Sequence, residues 1–140
     1  MTDDCLPIVV RPYEKSDTGL LFATYYETLN RERTLPFSLG EIRKAASRVF
    51  DSHFLSNKTV ILAAVNPEDY DQIFGWIAVG HKRDRVHFLY VREPYRGQGI
   101  APRLLVAAMI DTSAPIVATC WTKACETAPV IYRPRRLWRR

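Results

Sequence analysis

The chain has 140 residues, 47% of them hydrophobic and 25% charged, which is the size and balance of one globular domain and not of a fibrous or unfolded chain. No apolar run approaches the ~20 residues of a membrane-crossing helix, and Met1-Thr2-Asp3-Asp4-Cys5 lacks the basic-then-apolar pattern of a secretory leader, so a cytoplasmic protein is expected. The formal net charge of +5 resides at one end: residues 133–140 hold five arginines, and 1–132 hold 15 basic against 15 acidic residues, so the basic character is local.

Ile8-Val9-Val10 is short, apolar and β-branched and predicts a first strand. Asp17 is placed to cap a helix, with Leu21, Phe22, Tyr25, Tyr26 and Leu29 following at helical spacing; residues 31–36 break it. Ser38-Leu39-Gly40-Glu41 has the form of a capping box. Ile42, Ala45, Ala46, Val49, Phe50 and Phe54 then recur at intervals of three and four, opposite a polar face of Arg43, Lys44, Ser47, Arg48 and Asp51.

Residues 59–65 form a continuous apolar run and predict a buried strand. Asn66-Pro67-Glu68-Asp69 is a turn, 73–79 a second strand interrupted by Gly75, His81-Lys82-Arg83-Asp84 another turn, and 86–91 a third strand. The connections are too short for crossovers, so these three strands predict an antiparallel meander. Alternation along 86–91 predicts His87, Leu89 and Val91 on one face and Val86, Phe88 and Tyr90 on the other. Ile100, Leu104, Leu105, Ala108 and Met109 mark a helix that Ser113-Ala114-Pro115 ends, and 116–121 is a further buried strand. Strand, helix, strand predicts a parallel pair. Residues 123–132 read as a short helix before the arginine-rich tail, with Pro129 and Pro134 near its limits.

Between the strand at 86–91 and the helix from Ile100 lies the segment richest in chemistry. Gly97 and Gly99 let the backbone turn sharply and approach a ligand closely. The unpaired N–H groups at the head of the following helix, with the positive end of its dipole, make an anion site suited to a phosphate or pyrophosphate. A dinucleotide fingerprint is disfavoured: Gly97-Gln98-Gly99-Ile100-Ala101-Pro102 lacks the third glycine, and the loop follows an antiparallel meander, not a first strand. The three cysteines, Cys5, Cys120 and Cys125, are too few and too irregular for a disulfide framework or a zinc site, and His53, His81 and His87 are scattered, so no metal is expected.

The segment 89–101 resembles the central motif of the GNAT (GCN5-related N-acetyltransferase) superfamily: an Arg or Gln, two residues, Gly, one residue, then Gly or Ala. Arg96, Gly99 and Ala101 occupy those positions, after the equally typical lead-in Val91-Arg92-Glu93-Pro94-Tyr95. The order of elements over about residues 7–132 is also similar to that family's. The resemblance implies an α+β fold, with a central mixed sheet of about five to six strands flanked by helices, in one domain over 1–140 with a basic tail at 133–140. It implies acetyl-CoA, or another acyl-CoA, as co-substrate in a gap between strands 86–91 and 116–121. Arg96, Gly97, Gln98, Gly99, Ile100 and Ala101 would then cradle the pyrophosphate, and main-chain groups of Tyr90 and Val91 would meet the pantetheine and polarise the thioester carbonyl. An amine, on a small molecule or a protein, attacks directly while a general base removes its proton.

For that base the sequence offers His87, with Glu93 following it, and the resemblance also allows water; a lone strand histidine is more often structural than catalytic. Tyr132 is the candidate acid for the departing thiolate; its other reading is a packing residue with a hydrogen-bonded tip. Cys125 stands where the family often has an Asn. Three departures bear on function. Pro102 removes a donor near the phosphate, Arg136-Leu137 replaces the family's Gly-Phe, and the end at Arg140 implies that the sixth and seventh strands are missing or reduced to a stub. The acceptor site is then open and completed by a homodimer or another partner chain, or the domain no longer catalyses. Three functional readings follow: an N-acyltransferase, a non-catalytic assembly module docking through its basic end, or an acyltransferase modifying nucleic acid or a nucleic-acid-associated protein. Trp138 among Arg135, Arg136, Arg139 and Arg140 suits stacking and phosphate contact, or a solvated tail.

Overall fold

The computed structural model describes residues 6–32, 39–111, 113 and 116–118, and the backbone of 130–132. Among these, six strands form one sheet in sequence order, β1 to β6. β1 (Val9–Pro12) pairs antiparallel with β2 (Thr59–Asn66), β2 with β3 (Asp69–Gly80) and β3 with β4 (Val86–Val91). β5 (Ile116–Ala118) runs parallel to β4, and β6 (Val130–Tyr132) parallel to β5. The expected mixed sheet, antiparallel meander and β4–helix–β5 crossover are all present.

The helices cover both faces of the sheet. Along β3, Trp76 and Ala78 point to one face and Ile77 and Val79 to the other, the period of two that lets a central strand bury both sides. Trp76, Ala78 and Phe88 pack under α1 (Thr18–Glu32) and α2 (Leu39–Val49), against Leu21, Tyr25, Ala46 and Val49, with Phe50 just beyond α2 in the same cluster. Ile77, Val79, Leu89 and Val91 pack under α3 (Ile100–Ala107), against Ile100, Leu104 and Leu105. One directional contact fixes α1 on its face: Trp76 Nε1 donates to Thr24 Oγ1 at 2.9 Å, and that hydroxyl in turn donates to the Leu20 carbonyl at 3.0 Å. A buried indole N–H is thereby satisfied, which spares the fold the penalty of an orphaned donor.

Several local expectations differ from the structure. Asp17 does not cap α1. It ends a short turn of 3₁₀ helix (Lys15–Asp17), where its carboxylate accepts the Glu14 N–H at 2.8 Å and binds the Arg11 guanidinium, a stronger partner than a helix N–H. Phe54 is not part of α2: after Val49 the backbone widens to a π-turn over Phe50–Phe54, closed by Leu55 N–H on the Phe50 carbonyl. β3 begins at Asp69, earlier than expected. The faces of β4 also shift. The register moves from Ala78↔Phe88 to Val79↔Val86, so His87 is an extra residue, a β-bulge. Val86 therefore shares the α3 face with Leu89 and Val91, and the His87 ring stacks on Phe54 at 6.5 Å, on the α1–α2 side with Phe88.

Residues 130–132 form β6, not the end of a helix. Val130, Ile131 and Tyr132 are β-branched or aromatic, and Pro129 lacks the N–H that a continuing helix would use. The sheet therefore has a short sixth member where a helix was expected. The remainder of the expected helix, the capping box at Ser38, residues 119–121 of the fifth strand, all three cysteines and the tail 133–140 lie outside the described residues. Among the described residues no helix is long and apolar enough to cross a membrane.

Candidate functional site

β4 ends at Val91, and the chain leaves it through a short 3₁₀ turn, Glu93–Tyr95, that Pro94 favours. Gly97 and Gly99 then take φ of 78° and 80°. Both lie in the left-handed region that side chains disfavour, and Gly99 is the residue immediately before α3. A Cβ built on Gly97 would meet nothing within 4 Å, so its α-carbon borders open space.

Among the described residues, no protein group accepts a hydrogen bond from the backbone N–H of Gly97, Gln98, Gly99, Ile100 or Ala101. The Arg96 N–H is used internally, on the Glu93 carbonyl at 3.2 Å, and the helical ladder begins with Arg103 N–H on the Gly99 carbonyl at 3.4 Å. Five consecutive donors at the head of a helix, two of them on left-handed glycines, make an anion cradle of backbone alone. Pro102 is the third helical residue; its missing N–H costs the ladder nothing, since that donor has no intrahelical partner.

The Arg96 side chain turns back from the cradle. Its Nε donates to the Val91 carbonyl at 2.8 Å, and its guanidinium lies over the half-buried Tyr90 ring, 5.8 Å from the centroid. Arg92 fastens the loop to β3, its N–H on the Phe74 carbonyl at 2.8 Å and its guanidinium on the Ile73 carbonyl at 3.3 Å.

The 74–92 bond also sets the polarity of the end of β4. In an antiparallel ladder, directly opposed residues alternate between bonded and unbonded pairs. With residues 74 and 92 bonded, the Gly75↔Val91 pair is unbonded, and the main-chain groups of Val91 turn away from β3 toward β5. Those of Tyr90 turn toward Trp76 instead. The family resemblance gives the two residues the same role, but only the main chain of Val91 faces the side on which β5 lies. The β4–β5 ladder has one pair among the described residues, Val86↔Ala118, at the start of β4.

The other expected site residues lie apart. His87 is only 3% exposed, enclosed beside Phe54 near the start of β4, at the far end of the strand from the loop. Tyr132 lies on β6 opposite Ala118, two strands from β4, with its side chain outside the described residues. Among the described residues no three His, Cys, Asp or Glu side chains gather as a metal site. Gly75 was legible only as a break in a strand. Its ideal Cβ would sit 2.6 Å from the Tyr90 carbonyl oxygen and 3.2 Å from the Val91 α-carbon, so β3 and β4 approach here as only glycine allows.

The model of the acetyltransferase (GNAT) domain matches residues 40–131, from α2 through β6. The chain belongs to the GNAT acetyltransferase family. Solved structures agree in fold with this GNAT domain. A putative acetyl transferase from Pyrococcus furiosus superposes with a TM-score of 0.63 at 15% identity, covering 84% of this chain and 85% of that one. A GCN5-related N-acetyltransferase from Rhodopseudomonas palustris gives 0.56 at 17%, covering 88% and 79%. PaiA N-acetyltransferase from Thermoplasma acidophilum, in complex with coenzyme A, gives 0.56 at 17%, covering 74% and 70%. No curated protein matches the sequence.

Proposed function

We propose that this GNAT domain is an acyl-CoA-dependent N-acyltransferase that moves an acetyl group from acetyl-CoA to an amine by direct attack. The observation that carries the proposal is the row of five N–H groups, 97–101, that no described group engages and that includes two left-handed glycines at the head of α3. Such a row suits the diphosphate of a CoA, the ligand named for the PaiA structure. Acetyl-CoA supplies an activated thioester; the protein's part is to bind, orient and handle protons.

In this reading Gly97, Gln98, Gly99, Ile100 and Ala101 hold the diphosphate through their backbone. The N–H of Val91, directed toward β5, is the main-chain donor beside the pantetheine arm. Arg96 acts indirectly: by engaging the Val91 carbonyl and covering the Tyr90 ring it stiffens the end of the strand. The enclosure of His87 favours a packing role, and we assign removal of the amine proton to water. Tyr132 is retained as the proton donor to the departing thiolate, a role that rests on its spacing in the family pattern. The amine itself, small molecule or protein side chain, and a homodimer or other partner chain at the β6 edge belong to the same proposal.

Calorimetry with CoA tests the cradle. Wild-type protein binds and gains thermal stability by mass action. Gly97→Glu, which finds open space for its side chain but strains the backbone at a φ of 78° and brings a carboxylate to the diphosphate, weakens binding by roughly tenfold or more, whereas Gly97→Ala, with the strain alone, weakens it less. A wild type that gives no heat and no thermal shift, or a variant that binds equally well, defeats the proposal. With an amine panel and thiol detection, Tyr132→Phe lowers turnover about tenfold or more while CoA affinity holds.

A further inference from the structure

Three successive residues of β3 hold the loop that leads to the cradle. Phe74 and Ile73 receive Arg92 as described, and the Tyr95 ring packs on Phe74 with centroids 4.4 Å apart. The third is Gln72, whose Nε2 donates to the Tyr95 hydroxyl at 3.2 Å. Gln72 is itself held: its Oε1 accepts from Asn66 Nδ2 at 2.9 Å, while Asn66 Oδ1 accepts the Glu68 N–H at 2.9 Å and ties the hairpin turn.

The backbone here is shaped to permit this chain of contacts. Val65 pairs with Ile73 but Asn66 pairs with Asp69, so Tyr70, Asp71 and Gln72 are extra residues on β3. The irregularity releases Gln72 from the ladder register and leaves its amide to bridge Asn66 and Tyr95. An amide has a donor end and an acceptor end, and both are used.

We propose that Gln72, held by Asn66, is a positioning residue for CoA binding, acting through Tyr95. Tyr95 is two residues before Gly97, so fixing its ring and hydroxyl fixes the direction in which the chain enters the cradle. Ordering a glycine-containing loop at the moment of binding costs affinity, and a loop already held in the free protein escapes that cost. Neither Gln72 nor Asn66 belongs to the cradle; each acts on it at one or two removes. This inference rests on the N-acyltransferase reading of the loop.

Calorimetric titration with CoA of the wild type, Gln72→Met, Tyr95→Phe and the double variant, with melting temperatures alongside, tests it. Each single variant raises the Kd about threefold to tenfold, the range of one neutral hydrogen bond. The double variant does no more than the larger single, because both remove the same contact. The melting temperature stays near the wild-type value, which separates positioning from support of the fold. Wild-type Kd values in both single variants, or fully additive effects, overturn the inference while the cradle stands. Failure of the wild type to bind CoA defeats the underlying reading instead. Tyr95→Phe deletes one half-buried hydroxyl, so it carries the test alone if Gln72→Met does not fold.

Discussion

Gly75 sits where β3 passes closest to the end of β4. The atoms that a methyl group would meet there are backbone, the Tyr90 carbonyl oxygen at 2.6 Å and the Val91 α-carbon at 3.2 Å. Backbone cannot swing aside as a side-chain tip can, so Gly75→Ala forces the two strands apart. Overpacking of this kind costs about 1–3 kcal/mol. The displaced atoms belong to Tyr90 and Val91, beside the proposed pantetheine path, so CoA affinity falls along with stability. Thermal melting and CoA titration of Gly75→Ala check both effects, and a variant that melts and binds as wild type would show that the strands have slack here. The nearby Gly97 differs in kind. Its surroundings are open and its glycine is required by φ, so the same substitution there strains the backbone without a clash.

At the scale of elements, α3 is bounded at both ends by left-handed residues, and only one of them is glycine. Gly99 precedes it; Met109, with φ of 61°, follows it. The Met109 N–H bonds the Val106 carbonyl and the Ile110 N–H bonds the Leu105 carbonyl at 3.1 Å, the pairing that closes a helix through a left-handed residue. Arg83, in the β3–β4 turn, adds a cation there by donating to the Ala108 carbonyl at 2.8 Å. Met109 is 72% exposed, so its side chain contributes little burial to offset its backbone strain. Met109→Gly is therefore expected to stabilise the protein by about 1 kcal/mol, seen as a higher urea midpoint with unchanged slope; no gain would mean the methionine's contacts outweigh its strain. This end of the helix was illegible in sequence because methionine carries no stop signal, and Ser113-Ala114-Pro115 drew the boundary too late. The bulge at His87 was hidden for a related reason: a period of two cannot reveal one added residue. β6 was hidden by context, since three β-prone residues after a proline also fit a frayed helix. By contrast the meander, the crossover and the glycine turn before α3 were legible, because short turns, an apolar run and two glycines before a helix each have one cheap backbone solution. The Gln72–Tyr95 link is tertiary, joining residues 23 apart, and no local pattern marks it.

Across the described part of the molecule, five arginines act less as surface charges than as fasteners on backbone carbonyls. Arg83 holds the end of α3, Arg92 and Arg96 hold β3 and β4, and Arg103 ties α3 to the Leu6 and Ile8 carbonyls. Arg11 joins three elements, with donors on the Pro12 and Tyr70 carbonyls and two bonds to Asp17 at 2.7 and 2.9 Å. Arg11 and Asp17 are only 6% and 4% exposed. The ion pair of Asp84 with Arg85 at 3.6 Å, by contrast, is open to solvent and contributes little. Burial by itself would push the Asp17 carboxyl up, but the Arg11 hydrogen bonds, the Glu14 N–H and the Arg11 charge together bring it below the ordinary carboxylate value. A carboxyl lowered on folding contributes stability that is fully present above its unfolded value, about pH 3.9, and is lost as the pH falls through the lower folded value. Arg11 is shifted upward, chiefly by its bond to Asp17, and stays charged throughout this range. Asp17→Asn leaves that buried guanidinium with only the exposed Glu14 carboxylate, at 3.8 Å, as counter-charge, at a cost of about 3 kcal/mol at neutral pH. Urea unfolding from pH 7 to pH 2 should therefore show wild type and variant well separated at pH 7, with the gap beginning to close below about pH 4, where the unfolded chain's carboxylate takes up its proton, and closing further as the pH falls through the lower folded value. Equal stability at pH 7 would mean that Glu14 and the carbonyls of Pro12 and Tyr70 suffice to hold Arg11, and that β1, the 3₁₀ turn and β3 are joined without the Asp17 ion pair.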